Sequence, residues 1–493
     1  MKKIYTSIGL LLLVCLAYSQ GHADALRYSQ HTIGGSARNI AMGGAFGALG
    51  GDFSSLSQNP AGIAVYRGSE FSFSPELYIA GTKSRYFGEE TTEGSGSLNI
   101  NNMGYVSAHK EEGLLKYVNF GFGFNKIANF NRNYNLAGVN EFSSLGDYMV
   151  QEAYYDYAFP DEVSSDFGYF SYDMFYEAGI FDYYYDAEAG IDTFEISSMY
   201  IVDGDFRYPE QDISVEESGK INEWAFSFGL NLTDVLYLGG TFGIQPVYYS
   251  QEKHFVERDA NDLNYEYFDH YENLNVTGTG YTAKFGAIFR PIPMLRLGAA
   301  FHLPVSYFLH ERYKTQITTS NGTIIPRVYD RFDSDYRVTT PAKAILSAGL
   351  VLGKFLIISG DLEYIDYTTM RMRDEYGDWD DVNRDIKGIY KETINLKTGA
   401  EWKIGSYYLR GGLAFLGSPY AETEENADAY RLCYSGGVGF RDKNYFIDLS
   451  YQFSASDERQ YQYVVDMPAL YDAPVGNIDN KLSRITTTIG FRF

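Results

Sequence analysis

The sequence predicts an all-β fold: a fourteen-stranded antiparallel transmembrane β-barrel with an N-terminal hatch inside its lumen. Three observations predict it. At the end of the chain, Ile485, Thr487, Ile489, Phe491 and Phe493 share one face of a strand, and Arg484, Thr486, Thr488, Gly490 and Arg492 share the other. Strand side chains alternate with period two, so one face is apolar and the other polar, and a last strand ending on an aromatic residue is typical of an outer-membrane barrel. Segments of about ten residues with this alternation recur along the chain, joined by connections that are short and long in turn. The chain also opens on an export signal and has no later apolar run of about 18 residues, so strands must do the crossing.

In the signal, Lys2 and Lys3 give a positive start and residues 8–17 a short apolar core. Small residues allow cleavage at Ala17-Tyr18-Ser19 or at Gly21-His22-Ala23, and we take Ala23, making residues 1–23 a signal peptide for export to the bacterial outer membrane. Cys15 follows Val14 instead of a small residue, which argues against a lipoprotein anchor. With the signal removed, Cys433 is the one cysteine remaining, so neither an intrachain disulfide nor a cysteine metal cluster is expected.

Residues 24–69 read as the hatch. They are rich in Gly, Ala, Ser and Asn, as in Gly43-Gly44-Ala45 and Ala48-Leu49-Gly50-Gly51, and small residues let backbone pack closely on a wall. Such a segment fits inside a fourteen-stranded barrel and is too short for the globular plug of the larger transporters. Residues 70–493 then form the barrel. Alternation places strands near 70–80, 98–109, 117–127, 222–232, 235–250, 278–290, 295–308, 341–352, 355–367, 392–403, 406–416, 431–441, 444–456 and 483–493. The clearest runs Trp224, Phe226, Phe228, Leu230, Leu232 against Ala225, Ser227, Gly229, Asn231. Among the connections, 128–221 is the longest.

Composition fits the same account. Fifty Gly suit turns and crowded lumen positions, while 46 Tyr and 34 Phe suit interfacial girdles. Net charge is −24, and residues 141–220 hold 20 Asp or Glu against Arg207 and Lys220, which sets nucleic acid partners aside. The aromatics of this acidic insertion, Phe170 to Phe175 and Tyr183 to Tyr185, read either as an outer groove for a greasy ligand or as packing inside a folded cap.

Residues 37–45, Ala-Arg-Asn-Ile-Ala-Met-Gly-Gly-Ala, followed by Ser57-Gln58-Asn59-Pro60-Ala61-Gly62, resemble the N-terminal hatch of the FadL/TodX outer-membrane transport family. Arg290 to Gly298 is similar to its mid-barrel turn, and Asp361-Leu362-Glu363-Tyr364 and Gly399-Ala400-Glu401-Trp402 to its later strands. The resemblance implies a passive channel for hydrophobic compounds such as long-chain fatty acids, with the ligand held in the lumen and released sideways near a distorted third strand. No cofactor is implied. It makes Arg38, Asn39, Met42, Gly43, Gly44, Asn59, Pro60, Ala61 and Gly62 the hatch or gate residues. Asn59-Pro60 restricts backbone at both residues and reads as a latch or as a rigid plugging turn. Gly121 and Gly123, on the lumen face of the third strand, either permit a bend that opens the wall or make room for the hatch.

No Ser or Cys motif accompanies the histidines, so catalytic residues are none and the chain is not expected to be an enzyme. His31 and Met42 raise haem uptake as an alternative without paired-ligand spacing. Asp378, Asp380 and Asp381 lack the spacing of a calcium loop, so no metal site is expected. The partners expected are a hydrophobic small molecule or fatty acid and the surrounding lipid and lipopolysaccharide. The alternative of a different class is a barrel subunit or shuttle in protein secretion, with a protein partner; a large apolar lumen pocket would favour transport and a filled lumen would favour assembly.

Overall fold

The computed structural model describes residues 21–155, 171–186, 191–196, 201–202, 205–206, 208–259, 267–320, 324–328, 334–467 and 470–493. Of the segment expected to be a signal peptide, residues 1–23, residues 1–20 lie outside the described residues. Fourteen staves form a closed antiparallel barrel. They are β1 (Glu70–Tyr86), β2 (Glu89–Lys110), β3 (Leu115–Asn129), β4 (Pro209–Leu232), β5 (Leu236–Asp259), β6 (Tyr267–Ile292) and β7 (Leu295–His302, resumed as Ser306–Thr319). The wall continues through β8 (Ser334–Thr339, resumed as Lys343–Leu352), β9 (Leu356–Asp366), β10 (Glu392–Ile404), β11 (Tyr407–Leu416), β12 (Arg431–Arg441), β13 (Tyr445–Tyr461) and β14 (Val475–Arg492). β14 pairs with β1, Phe491 opposite Phe71, and closes the ring.

The alternation read in the sequence becomes an apolar outer belt. Phe122, Phe226 and Phe242 lie side by side across β3, β4 and β5 and are exposed, as are Phe285, Leu297, Leu346, Leu362, Leu396, Leu413, Tyr434, Leu449 and Ile485 around the ring. Water would penalise this surface; hydrocarbon does not, so the belt is the bilayer-crossing surface. Staves β7 and β8 break at the same level, where Pro304 and Pro341 remove ladder donors. The gap is bridged by Val305 N donating to Thr340 Oγ1 (3.0 Å) and Thr340 N donating to the Val305 carbonyl (3.0 Å).

Several staves run well past the lengths expected from sequence. β4 starts at Pro209, β5 runs to Asp259, and β6 begins at Tyr267. The ladder continues above the belt, where outward positions are polar. A cross-strand polar pair, His254–Asp269 (3.0 Å), replaces apolar neighbours there, while Lys253–Glu272 (3.2 Å) pairs on the lumen face of the same extension. Alternation of hydrophobicity reports only the lipid-facing part of a stave, so the extension left no signal.

Part of the acidic insertion folds onto the rim as helices Leu145–Tyr155 and Ser171–Glu177. Tyr172, Met174 and Phe175 are buried with Tyr86, Tyr134, Phe255, Phe268 and Tyr463, so Tyr172 and Phe175 serve as packing for a cap; Phe170 lies outside the described residues. Asp380 and Asp381 open the helix Asp380–Ile389, in the first turn where carboxylates complement the helix dipole.

Candidate functional site: hatch, lumen cavity and side gap

The chain ahead of β1 sits inside the lumen. Helix α1 (His22–Ser29) leads to α2 (Ala37–Ala41), α3 (Ser55–Gln58) and a 3-10 turn at Pro60–Val65. The 3-10 turn packs on β3 to β6, whereas α2 packs on β11 to β14. One segment therefore touches opposite walls, which only a plug can do.

The Asn59-Pro60-Ala61-Gly62 stretch is a hatch-to-wall joint. Asn59 Oδ1 accepts from Ala61 N (3.1 Å) and caps the 3-10 turn that Pro60 begins. Its Nδ2 donates to the Gly47 carbonyl (2.6 Å) and to the Ala287 carbonyl of β6 (3.3 Å). Gly43 (φ +65°) and Gly44 (φ +74°) take left-handed backbone after α2. The Met42–Gly43 backbone lies directly on Gly399 and Gly412 of the wall, and Pro60 on Gly239, so a side chain at any of these wall positions would strike hatch backbone. Asn39 Nδ2 donates to the Gly34 carbonyl (2.7 Å), and the Met42 side chain packs with Phe46 and Leu49. Gly412→Ala is expected to cost about 1–3 kcal/mol by overpacking. Gly436→Ala, on the lipid-facing side where the nearest atom stands at 3.8 Å, should stay within about 0.5 kcal/mol. Thermal melts of the two variants in detergent check the contrast; equal melting points would refute the close fit.

Arg38 is the polar anchor. Its Nε and Nη2 both donate to Glu401 of β10 (2.7 Å each). Glu401 also accepts from Arg410 Nε (2.6 Å), whose Nη1 donates to Asp448 (2.7 Å), which also meets Arg441 (3.3 Å). Burial alone would lower the Arg38 pKa; the Glu401 charge reverses that and holds it above the ordinary guanidinium value. Two further wall carboxylates grip the hatch. Asp361 accepts from Phe46 N, Gly47 N (3.0 Å each) and Gln58 Nε2 (2.8 Å). Glu223 accepts from Ser57 Oγ (2.6 Å) and is neutralised by Lys284. The sequence named the hatch side of these contacts; Glu223, Asp361, Glu401, Arg410 and Asp448 were missed as partners. Their signal was charge on lumen-facing positions of otherwise apolar staves.

Gly121 and Gly123 face the hatch, against Leu56, Ile63 and Phe53. The wall parts elsewhere. β2 and β3 pair from Lys110 opposite Tyr117 to Asn102 opposite Asn125 and no further. β3 then slips register against β4 at Lys126–Ala128, and the chain resumes as Arg132–Val139, which stays paired to β4. It lies across the lumen side of β1 and β2: Thr82 Oγ1 donates to the Asn133 carbonyl (2.6 Å). From Ile100 upward, β2 pairs with β1 alone. Side chains bridge the gap where backbone does not, Asn131 Nδ2 donating to Ser97 Oγ (2.9 Å). Leu98 and Ile100 stand exposed on the lipid side of this edge.

Behind the gap lies a lumen cavity of about 490 Å³, within the ~300–1,000 Å³ of small-molecule sites. Apolar walls come from Leu26, Ile127, Phe130, Ile345 and Leu416, and polar ones include Arg27, Lys126, Lys343 and Arg431. His31 also lines it. Burial first, then the charges of Lys343 and Lys284, hold its imidazole well below the ordinary value, so it is neutral.

No protein-family model matches the chain, and no curated protein matches it. Solved structures do. A FadL homologue of Pseudomonas aeruginosa aligns over 94% of this chain and 100% of its own, at 12% identity and TM-score 0.56. The toluene transporter TodX of Pseudomonas putida aligns over 94% and 99%, at 13% identity and TM-score 0.55. The toluene transporter TbuX of Ralstonia pickettii aligns over 94% and 99%, at 14% identity and TM-score 0.50. With a closed fourteen-stave wall and a hatch pinned across its lumen, this chain has the FadL/TodX fold.

Proposed function

We propose that the chain is a passive outer-membrane channel for hydrophobic compounds such as long-chain fatty acids. The ligand rests in the lumen cavity and leaves sideways between β2 and β3 into the surrounding lipid. The observation that carries this reading is the end of the β2–β3 ladder at Asn102 and Asn125, beside the cavity. An apolar molecule crosses a polar lipopolysaccharide layer poorly, and release through a wall gap edged by Leu98 and Ile100 never returns it to water. The neighbours described as toluene transporters support the substrate class. Hatch residues 36–62 and the carboxylates that grip them hold the periplasmic half shut in this reading, which favours the sideways exit over an axial one.

Native mass spectrometry of the detergent-purified barrel, with lipid extraction, tests it. A co-purified small apolar ligand is expected. A barrel without one that instead retains a stoichiometric protein would overturn the reading in favour of a secretion role.

A further inference from the structure

The outer face of the wall sets two arginines against each other. Arg337 of β8 and Arg373 of the short strand Arg371–Arg373 are directly opposite in an antiparallel ladder. Val338 and Met372 pair beside them and are buried, so period two puts both arginines on the outward face. Like charges directly opposite in a ladder are destabilising. Among the described residues no carboxylate forms an ion pair with either arginine. The nearby acids are engaged elsewhere. Asp335 is turned to His310 Nδ1 (2.9 Å). Asp374 accepts from Trp379 Nε1 (2.9 Å), Tyr376 N (2.7 Å) and Gly377 N (3.0 Å). Asp378 meets Arg373 by a backbone bridge. Arg371, opposite Thr339, adds a third cation beside the pair, its Nη1 donating to the Met370 carbonyl (2.8 Å).

The height of the pair on the wall identifies what can neutralise it. Arg337 is opposite Phe308 of β7, and its guanidinium carbon lies 4.1 Å from the centre of that ring. Phe308 and Tyr281 of β6 are both exposed, with ring centres 6.4 Å apart, and they close the apolar belt on this side. The next outward positions are Thr279 and Thr277 on β6 and His310 and Arg312 on β7. Aromatic residues mark the membrane–water interface, and a long cationic side chain lays its stem on such apolar surface and its head at the polar layer. The long connections lie on this side, which in outer-membrane barrels is the extracellular one. Both guanidiniums therefore stand at the headgroup level of the outer leaflet. The lipid of that leaflet is a glycolipid whose sugar head carries phosphate, and phosphate is the anion that the planar guanidinium fork fits best.

From this opposed, unpaired arginine couple at the upper edge of the belt, we infer that Arg337 and Arg373 form a binding site for the phosphorylated headgroup of an outer-leaflet glycolipid. One phosphate sits between the two guanidiniums, and the acyl chains lie along Phe308 and Tyr281. The phosphate supplies the counter-charge that the protein does not, and turns a repulsive pair into a bridge. The site is on the outside of the wall, independent of the lumen cavity and of the channel reading. It also falls just beyond the break at Pro304 and Pro341, so a bound head braces the resumed part of β8 where the ladder is interrupted.

The test uses the purified full-length barrel in detergent, with monophosphoryl lipid A as the probe and its phosphate-free form and inorganic phosphate as comparators. Native mass spectrometry reads the bound lipid, and thermal melts read its effect on the barrel. Charge-assisted hydrogen bonds to one phosphate correspond to roughly tenfold or more in affinity. The native barrel is expected to hold the phosphorylated lipid tighter than the phosphate-free one by that factor. Arg337→Gln with Arg373→Gln should lose the preference. Lys220→Gln with Lys387→Gln, which removes two exposed charges elsewhere, should keep it. Without lipid, Arg373→Gln should melt no lower than the native barrel, because it relieves the opposed pair. Added lipid should raise the native melting point and leave that of the double glutamine variant where it was. Equal binding of the two lipids, or a preference surviving in Arg337→Gln with Arg373→Gln, overturns the site. Equal loss in the two double variants overturns it in favour of diffuse surface charge. Full displacement of the lipid by an equal concentration of inorganic phosphate overturns the lipid and points to a free-anion site. Heat-modifiable migration on gels confirms that each variant is a folded barrel.

Discussion

Replacing Glu401 with Ala is expected to release the hatch. The carboxylate stands between two guanidiniums, Arg38 on the hatch and Arg410 on the wall, and is 3% exposed. Its removal leaves both cations buried without their shared partner, which costs about 3–5 kcal/mol. Arg38→Met should cost less, because Glu401 keeps Arg410 and no charge is orphaned. The order of the two variants, rather than either value alone, identifies the network as the anchor. Hydrogen exchange of residues 36–47 and single-channel conductance in planar bilayers are the measurements. Fast exchange and a new ohmic conductance are expected in Glu401→Ala, with Arg38→Met between it and the native barrel. Native protection in Glu401→Ala would show that Asp361 and the small-residue fit hold the hatch unaided.

Closing the side gap should stop transport. Ser97 and Asn131 face each other across it at 2.9 Å between side-chain atoms, so Ser97→Cys with Asn131→Cys places two thiols within reach of a disulfide or a short bifunctional thiol reagent. The free cysteine of the described residues, Cys433, is buried and does not compete. Oxidation is expected to lower fatty acid uptake by roughly tenfold or more, because a cross-linked wall cannot reach its open state. Reduction should restore it, and each single cysteine variant should transport normally. Undiminished uptake with the cross-link formed would place the exit elsewhere and end the sideways reading.

How much of this was legible before the structure follows from where water and lipid act. Outward alternation between Phe120 and Phe124, or between Trp224 and Leu232, is imposed by hydrocarbon, so the staves could be counted and their faces assigned. Above the bilayer that constraint lapses, and the extensions of β4, β5 and β6 went unread. The hatch motif named Arg38 and Asn59, whose partners Glu401 and Ala287 lie hundreds of residues away and share no local pattern with them. The side gap was sought at Gly121 and Gly123, which accommodate Phe53 and Leu56. A sharper signal was in plain view: Lys126 shares the parity of the lipid-facing Phe120 and Phe122 yet is buried. A charge there is expensive, and the strand avoids the cost by turning inward.

The contact between Arg38 and Glu401 spans 363 positions, and Ala37 N donates to Thr488 Oγ1 across 451. This imposes an order on biogenesis. The hatch is made before every stave, yet the staves that seat its α2 end, β10 to β14, are made last, and the seam that encloses it is the final β1–β14 ladder. The α2 end must therefore wait unseated until the wall is nearly complete, then be captured as the seam zips shut. Loop-closure entropy makes such long-range pairing slow, so the step most exposed to failure during insertion is the enclosure of the hatch.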